Sequence, residues 1–342
     1  MRAFLICATL FVSATASAQA LKLPEESPAA TVSQTIGVTE VSVSYHRPAV
    51  KGRPIWGKLV PYGETWRAGA NENTVVTFSS DVKIGGKPLK AGSYGLHMIP
   101  TAKEWTIAFS TATTAWGSYS YDAKEDALRV TVTPRAVATS EERLSYRFDE
   151  LSDTKATLAL RWEKLEVPIA LEVDTPRVVM ATARNQLRGQ LGFFERPLAQ
   201  AAAYWLKNGG PLDEAQKLIE RSLQARPSYG AMMLKAQILD KQNNAAAAAE
   251  ARSQAQAIAT EPELNQAGYA LINDKKLDEA IKLFEATAQR FPESWNAFDS
   301  LGEALAQKGD KARATAAYTK ALGLAKDPAQ KKRIEGAIAK LK

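Results

Sequence analysis

Cysteine and histidine are almost absent from this 342-residue chain, which contains one cysteine and two histidines. Structural zinc sites and iron–sulfur clusters use several such ligands close together, so the composition excludes both kinds of site. The single cysteine, Cys7, lies in a short apolar segment near the N-terminus. Removal of that segment would leave neither disulfide bonds nor cysteine catalysis. We therefore expect no metal and no cofactor.

Long apolar runs are also missing. The run Ala3–Val12 follows a single charge, Arg2, and precedes the small-residue sequence Ala16-Ser17-Ala18. This arrangement predicts a signal peptide over residues 1–18, with cleavage near Ala18, and a periplasmic or secreted protein. No other segment reaches the 18 or so apolar residues that a transmembrane helix requires, so we expect no transmembrane segment.

The excess of positive over negative charge lies in the second half of the chain. The net charge is +7 overall, and residues 19–174 carry 18 Lys/Arg against 19 Asp/Glu, whereas residues 175–342 carry 25 against 18. The basic residues of the second half are scattered singly instead of forming a patch. This spacing favours solvated helix faces, and we expect no nucleic-acid partner.

Residues 31–173 have the alternating pattern of β-strands. In Glu40–Tyr45, apolar and polar residues alternate, and Gly85-Gly86 marks a hairpin turn. Nine or ten short strands follow one another, with Ala156–Trp162 and Glu166–Val173 as separate strands. This pattern predicts an antiparallel β-sandwich or barrel-like domain over residues 19–174.

The rest of the chain is alanine-rich and has helical periodicity. Asp174-Thr175-Pro176 has the composition of a boundary, and proline suits the first turn of a helix. We predict a connecting helix over residues 175–193 and a solenoid of helix pairs over 194–342. The last amphipathic segment, residues 329–341, would form the capping helix that such solenoids need.

A regular repeat runs through the helical half. Gly268 and Gly302 occupy equivalent positions of two successive repeats. Each glycine is followed twelve residues later by a small residue, and an aromatic residue comes four residues after the small one. Small residues let two helices cross closely while the aromatic residue fills the groove between them. This is the pattern and the length of a tetratricopeptide repeat. A weaker copy uses Ala203 and Ala215, and another lies between Tyr229 and Thr260.

The β half resembles a known family. The resemblance rests on residues 27–100, SPAATVSQTIGVTEVSVSYHRPAVKGRPIWGKLVPYGETWRAGANENTVVTFSSDVKIGGKPLKAGSYGLHMIP, together with Trp105 and Trp116–Asp122. These segments are similar to the domain-of-unknown-function 2911 family, which occurs in exported bacterial proteins and is often followed by helical repeats. The resemblance implies no particular activity. The family often has a small polar residue where this chain has His46.

Arginine, tryptophan and carboxylate residues are most dense between Tyr45 and Thr74. An arginine fork binds a carboxylate or phosphate, and an indole offers a flat apolar surface, so this segment could bind an anion or a sugar. The candidate ligand loop comprises Arg47, Arg53, Glu64, Trp66, Arg67, Asn71 and Glu72, with Trp116 and Tyr121 from a second aromatic loop. Alternatively the segment is structural, with Arg67 paired to Glu64 or Glu72 and with Trp56 and Trp66 plugging one end of the sandwich.

The two histidines could act as a base or ligand with nearby carboxylates, although nothing in their spacing requires it. His97 lies between Leu96 and Met98 and would face away from both on a strand. If that face is solvated, His97 is exposed. The sequence contains no motif that identifies a catalytic residue.

The first helix of each repeat should line the inner surface of the solenoid. Residues spaced by four on these helices form polar and aromatic stripes suited to an extended peptide. The predicted repeat groove comprises Gln200, Tyr204 and Asn208 in the first stripe, Asn265, Tyr269 and Asn273 in the next, and Asp299 and Glu303 in the last. These positions could equally be solvated face residues without a ligand.

The sequence thus favours an exported, non-enzymatic binding or scaffold protein. The solenoid groove would bind a protein or peptide, and the β-sandwich would be a docking or small-ligand module. The alternative is a hydrolase or carbohydrate-active enzyme with its site in the Arg/Trp/Asn loop. An enzyme would need Glu64, Arg67, Glu72 and a histidine to converge in one cleft.

Overall fold

The structure, a computed structural model, describes residues 23–341. The predicted signal peptide lies outside these residues. The chain forms two compact units that divide between Val178 and Val179. No helix in the described part of the chain is long and apolar enough to cross a membrane.

The first unit is an antiparallel β-sandwich, as the sequence predicts. One sheet has the strand order β1-β2-β3-β6-β7-β8 and the other has the order β5-β4-β10-β9. The strands are β1 (Ala29–Ile36), β2 (Thr39–His46), β3 (Val75–Phe78), β4 (Val82–Ile84), β5 (Lys87–Leu89), β6 (Gly92–Ile99), β7 (Trp105–Ser110), β8 (Asp126–Val132), β9 (Arg135–Asp149) and β10 (Lys155–Glu172).

Alternation along the strands builds the core between the two sheets. Val41, Val43 and Tyr45 of β2 are buried, and Leu158 and Leu160 of β10 are buried in the same apolar cluster. Each such side chain stabilises the fold by about 1.5–3 kcal/mol through burial.

The two strands expected over residues 156–173 are one strand, β10. The register with β9 shifts on both sides of Glu163, which has a φ of 53°. Such a bulge bends a strand without ending its pairing, so the polar residues at this point mark a bend where the sequence suggested a turn. The bend leaves Glu166 buried, and its carboxylate accepts hydrogen bonds from Arg135, Arg147 and Arg161.

The second unit is the predicted α-solenoid. Helix α1 (Thr175–Gln186) crosses the division between the units. The remaining helices are α2 (Glu195–Lys207), α3 (Leu212–Ala225), α4 (Tyr229–Lys241), α5 (Ala245–Ile258), α6 (Glu261–Asn273), α7 (Leu277–Arg290), α8 (Trp295–Lys308), α9 (Lys311–Leu324) and α10 (Pro328–Ala339). Consecutive helices from α2 to α9 form four pairs, and α10 packs on α9.

Close helix crossings explain the regular spacing of the repeat. A Cβ atom at Gly268 would clash with the ring of Phe284, and one at Gly302 would lie 2.8 Å from the ring of Tyr318. Glycine therefore lets α6 and α8 lie directly against the aromatic residues of α7 and α9.

The first repeat is out of step with the others by one residue. The residues that immediately precede its two helices are Phe194 and Pro211, and the corresponding residues before α6 and α7 are Thr260 and Lys276, which lie one residue closer together. The additional residue makes Ala202 the fully buried small residue and leaves Ala203 exposed. A register counted back from Ala215 therefore shifts the first predicted stripe by one position.

Candidate functional site

Four tryptophans form a cluster in the β unit. Trp66 stacks on Trp162 with ring centroids 6.0 Å apart, and Trp56 meets Trp105 edge to face at 4.9 Å. Trp105 and Trp162 are fully buried, whereas Trp56 and Trp66 are half-buried. The backbone of Trp66 also bridges to Met98 of β6. Trp56 and Trp66 are thus held by packing against the tryptophans of the strands.

Arg67 follows Trp66 and is half-buried. Its Nη1 donates to the carbonyl oxygen of Asn71 at 3.0 Å. Within residues 23–341 it forms no ion pair, so the expected pairing with Glu64 or Glu72 is wrong for the described part of the chain. The guanidinium lies against Gly117, where an added Cβ would clash with Nη1. Arg67 is therefore positioned by backbone groups and keeps donors free.

The segment around Trp66 and Arg67 borders a cavity of about 260 Å³, which we name the arginine cavity. Trp66, Arg67 and Arg53 of the predicted ligand loop line it. The lining residues that were not predicted include Glu26, Lys51 and Trp162. Because these three residues are far apart in sequence, no local pattern predicts that they line one cavity.

A second, more open cleft of about 460 Å³, the aromatic cleft, is also lined by Trp66 and Arg67. Its lining also includes Glu64, Ser118 and Tyr121. Tyr121 donates to Asp126 at 2.6 Å, and burial together with this hydrogen bond raises the pKa of Tyr121 to about 12. Tyr121 is therefore a neutral hydrogen-bonding wall of the cleft.

His97 lies beneath the aromatic cleft. Its side chain is buried, although the sequence allowed for an exposed one, because the Ser118–Tyr121 loop covers that face of β6. Nδ1 lies 3.0 Å from the Ser118 hydroxyl. Burial lowers the pKa of His97 to about 4, against a smaller opposing effect of Asp126. His97 is therefore neutral near pH 7, and a weak base.

His46 is at a different place from His97. Its Nε2 is 3.3 Å from the carboxylate of Glu72 and 3.5 Å from that of Glu25. Glu64 and Arg67 instead line the aromatic cleft. The four groups that an enzyme was expected to bring into one cleft are thus divided between two places.

The other arginines and the asparagine of the ligand loop donate to backbone carbonyl groups. Arg47 donates to the carbonyl of Leu144 at 2.9 Å, and Arg53 donates to the carbonyl of Ala49 at 2.6 Å. Asn71, with a φ of 55°, donates to the carbonyl of Ser27 at 3.3 Å. Trp116 is 60% exposed, so its indole is free to contact solvent or a partner.

In the helical unit, the first helices of successive repeats lie side by side. Tyr269 of α6 donates to the carboxylate of Glu303 of α8 at 2.8 Å, and Arg333 of α10 donates to Asp299 at 2.6 Å. Asn296 donates to Glu261 at 2.8 Å. We name this surface the groove face, and it comprises Glu261, Asn265, Tyr269, Asn296, Asp299, Glu303 and Arg333.

Two acceptor atoms on the groove face are buried without a hydrogen-bond partner in the described part of the chain. These are the Oδ1 atoms of Asn265 and Asp299. Burial also raises the pKa of Asp299 above its ordinary value, against the opposing effect of Arg333. Unpartnered buried oxygens are rare in folded proteins and indicate that a donor is missing.

Only some of the predicted groove residues lie on the groove face. Asn265, Tyr269, Asp299 and Glu303 belong to the groove face, whereas Asn273 is exposed at the end of α6. In the first stripe, Gln200 is exposed, Tyr204 packs into the core of the first repeat, and Asn208 donates to the carbonyl of Tyr204.

Arg333 was missed, although its spacing could have revealed it. Asn265, Asp299 and Arg333 follow one another at the same interval as Gly268 and Gly302. The capping helix therefore continues the repeat on this face. Within residues 23–341, no group of three or more His, Cys, Asp or Glu side chains is arranged to hold a metal ion.

Comparisons with known proteins give a description for each half. Residues 27–171 match the family described as "Protein of unknown function (DUF2911)", and residues 206–261 and 265–331 match the tetratricopeptide repeat. No curated protein matches the chain.

Several solved structures are distantly similar. One, titled "Functional Characterization of Pseudomonas Aeruginosa pilF", is 22% identical, covers 43% of this chain and 67% of its own, and has a TM-score of 0.27. Another, of YrrB, "a TPR protein with an unusual peptide-binding site", is 20% identical, covers 47% of this chain and 84% of its own, and has a TM-score of 0.28. Neither similarity is close enough to transfer a function. The chain thus combines a β unit that matches the DUF2911 family with a helical unit that matches the tetratricopeptide repeat.

Proposed function

We propose that this protein is an exported, non-enzymatic scaffold. Its helical unit binds an extended segment of a protein or peptide along the groove face, and its β unit is a docking or small-ligand module. Tetratricopeptide repeats support the general role of a protein-interaction scaffold. The charged start, short apolar run and small-residue site of residues 1–18 support export.

The observation that carries the groove proposal is the pair of unpartnered oxygens on Asn265 and Asp299. They lie at equivalent positions of α6 and α8, one repeat apart. A bound segment that supplies N–H donors would satisfy both oxygens at once. Leaving such an acceptor buried and unpartnered costs about 1–3 kcal/mol, so its satisfaction favours binding.

The charge of the groove face indicates the charge of the segment that it binds. The groove face has three carboxylates, Glu261, Asp299 and Glu303, against one cation, Arg333, although residues 175–342 carry a net charge of +7. An acidic surface on a basic unit attracts a basic segment and repels an acidic one. We therefore propose a partner segment that contains lysine or arginine.

A selection experiment tests this function. The full chain would be exposed to a library of short random peptides, with an Asn265→Leu variant in parallel. We expect selected peptides to be rich in Lys and Arg, and to bind the variant at least tenfold more weakly. Peptides that bind both proteins equally, or that lack basic residues, would contradict the groove proposal.

A hydrolase is the second candidate, and one contact favours it. The Ser118 hydroxyl lines the aromatic cleft and lies 3.0 Å from Nδ1 of His97, as a nucleophile and base would. The lowered pKa of His97 opposes it, because general bases work best with a pKa near the operating pH. If the wild-type chain hydrolyses p-nitrophenyl acetate and Ser118→Ala does not, the result would favour the hydrolase. If both proteins show only the background rate, the result would exclude this site.

A further inference from the structure

The arginine cavity of the β unit has an excess of positive charge. Lys51, Arg53 and Arg67 line it, against the single carboxylate of Glu26. That carboxylate is already paired, because the Lys51 ammonium lies 3.3 Å from it. The remaining charge of the cavity wall is that of two guanidinium groups.

Both guanidinium groups are held in place by the backbone. Arg53 donates from Nε and Nη2 to the carbonyls of Val50 and Ala49, and Arg67 donates from Nη1 to that of Asn71. A guanidinium has five N–H donors, so each keeps donors for another acceptor. Because they are already oriented, little conformational freedom is lost when they bind a ligand.

A third donor, on a residue that lines the cavity, is without a hydrogen-bond partner among residues 23–341. The indole of Trp162 is 1% exposed, and its Nε1 has no hydrogen-bond acceptor in the described part of the chain. A buried indole N–H normally finds an acceptor. The wall therefore offers donors to a ligand, and its one carboxylate is paired with Lys51.

We propose that the arginine cavity binds a small organic anion. A carboxylate or phosphate group accepts hydrogen bonds from Arg53, Arg67 and the indole N–H of Trp162, and the apolar part of the ligand contacts Trp66 and Trp162. A neutral sugar fits this wall less well, because its hydroxyl groups need acceptors as well as donors. This inference rests on the proposed small-ligand role of the β unit and names the ligand class.

Calorimetric titration of the full chain at low salt tests the proposal with three probes of one shape. Benzoate carries a carboxylate, phenyl phosphate carries a phosphate, and benzamide is neutral. We expect at least one anion to bind at least tenfold more tightly than benzamide. The stronger of the two anions identifies which acid group the cavity prefers.

Two matched pairs of variants locate the binding. Trp162→Phe removes the unpartnered N–H of the cavity wall, and Trp56→Phe makes the same change in the same cluster at an indole outside the wall, whose Nε1 is also unpartnered in the described part of the chain. We expect a tenfold loss of anion affinity for the first and no loss for the second. Arg53→Gln should weaken binding at least tenfold, whereas Lys58→Gln, the same charge change at an exposed neighbour, should leave it within twofold.

Several outcomes would overturn the inference. Equal affinity for benzamide and benzoate would mean that the cavity is not an anion site, while the small-ligand role would stand. If none of the probes binds, both the anion site and the small-ligand role of the β unit would be contradicted. Equal losses in the two tryptophan variants would show that the loss comes from disturbance of the tryptophan cluster. If Trp162→Phe does not fold, the comparison of Arg53→Gln with Lys58→Gln decides alone.

Discussion

Burial changes the pKa of single residues in the β unit. The pKa of His97 is lowered to about 4 because its imidazole is buried beneath the Ser118–Tyr121 loop. In the unfolded chain the ordinary value is about 6.5. Between these two values the unfolded chain binds a proton that the folded chain does not.

The stability of the β unit should therefore fall as the pH drops from about 6.5 to about 4, and His97 contributes up to about 3 kcal/mol of this fall. A His97→Gln variant lacks the titrating group, so its free energy of unfolding should depend less on pH. Urea unfolding of both proteins at pH 7 and pH 5 measures the difference. Parallel pH dependence in the two proteins would show that His97 is not buried in its neutral form.

The pKa of Glu166 is also lowered, but for a different reason. Burial alone would raise the pKa of its carboxyl, but hydrogen bonds from Arg161 and Arg135 outweigh burial and hold the pKa below its ordinary value. The lowered pKa stabilises the fold above the carboxyl's unfolded value, and this contribution is lost as the pH falls through the folded value.

Replacement of Glu166 by alanine should lower the free energy of unfolding by about 3–5 kcal/mol, because the buried Arg161 would lose its closest counter-charge. Urea unfolding at pH 7 measures this loss. Glu163→Ala is the control, since Glu163 is a half-buried carboxylate of the same strand that has no ion pair within residues 23–341. It should cost less than about 1 kcal/mol. Similar losses in both variants would contradict a buried ion-pair network.

The sequence could locate the residues of the ligand loop, but not their partners. The density of arginine and tryptophan near Trp66 and Arg67 predicted a special segment there. Trp162 comes from β10 and Glu26 from the segment before β1, and only the packing of the two sheets brings them to one cavity. Pairing of Arg67 was mispredicted because nearby carboxylates suggested an ion pair, whereas a backbone carbonyl supplies the acceptor.

Among the elements, the repeats were the most predictable part, because helix crossing imposes a fixed spacing of small and aromatic residues. The last two repeats keep that spacing, and the first does not, since its loop has an additional residue. A fixed spacing in sequence cannot reveal an insertion in a loop. The stripe through Gln200 was therefore displaced, while those through Tyr269 and Glu303 lie on the groove face.

Glycine occupies the equivalent position in three successive repeats, and substitutions there test how closely the helices cross. Gly268 faces the buried ring of Phe284, whereas Gly336, in the capping helix, has no neighbour within 4 Å of an added Cβ. Gly268→Ala should lower the free energy of unfolding by about 1–3 kcal/mol through overpacking. Gly336→Ala should raise it by about 0.5–1 kcal/mol through helix propensity.

Chemical denaturation of the full chain, followed by far-ultraviolet circular dichroism, measures both changes. The two variants differ only in what the added methyl group meets. A stabilising Gly268→Ala would mean that α6 and α7 do not cross as closely as described.

For the whole molecule, the division lies inside α1. Val178 packs on the core of the β unit, whereas Met180 belongs to the first core cluster of the helical unit. Thr175 is buried, and its hydroxyl donates to the carbonyl of Asp153. The sequence placed the boundary four residues earlier, at Asp174, because proline and charge mark the start of the helix and not the end of the core.

A fragment of residues 23–186 should consequently melt at a higher temperature than a fragment of residues 23–174. The shorter fragment loses the contacts of Thr175 and Val178, and the loss of these side chains should cost about 2–4 kcal/mol in total. Thermal unfolding followed by circular dichroism measures both fragments. Equal melting temperatures would place the end of the β unit at residue 174.

The central claim is that the groove face binds a basic segment, and reversal of one charge tests it most directly. Fluorescence anisotropy would measure the binding of two labelled peptides, (Ala-Lys)₅ and (Ala-Glu)₅, to the full chain, to Glu303→Lys and to Glu279→Lys. Glu279 is exposed on α7, a second helix of its repeat, and its replacement changes the net charge equally. We predict that the wild-type chain and Glu279→Lys prefer the lysine peptide at least tenfold, and that Glu303→Lys loses this preference. The same preference in all three proteins, or a preference for the glutamate peptide in the wild-type chain, would contradict the claim.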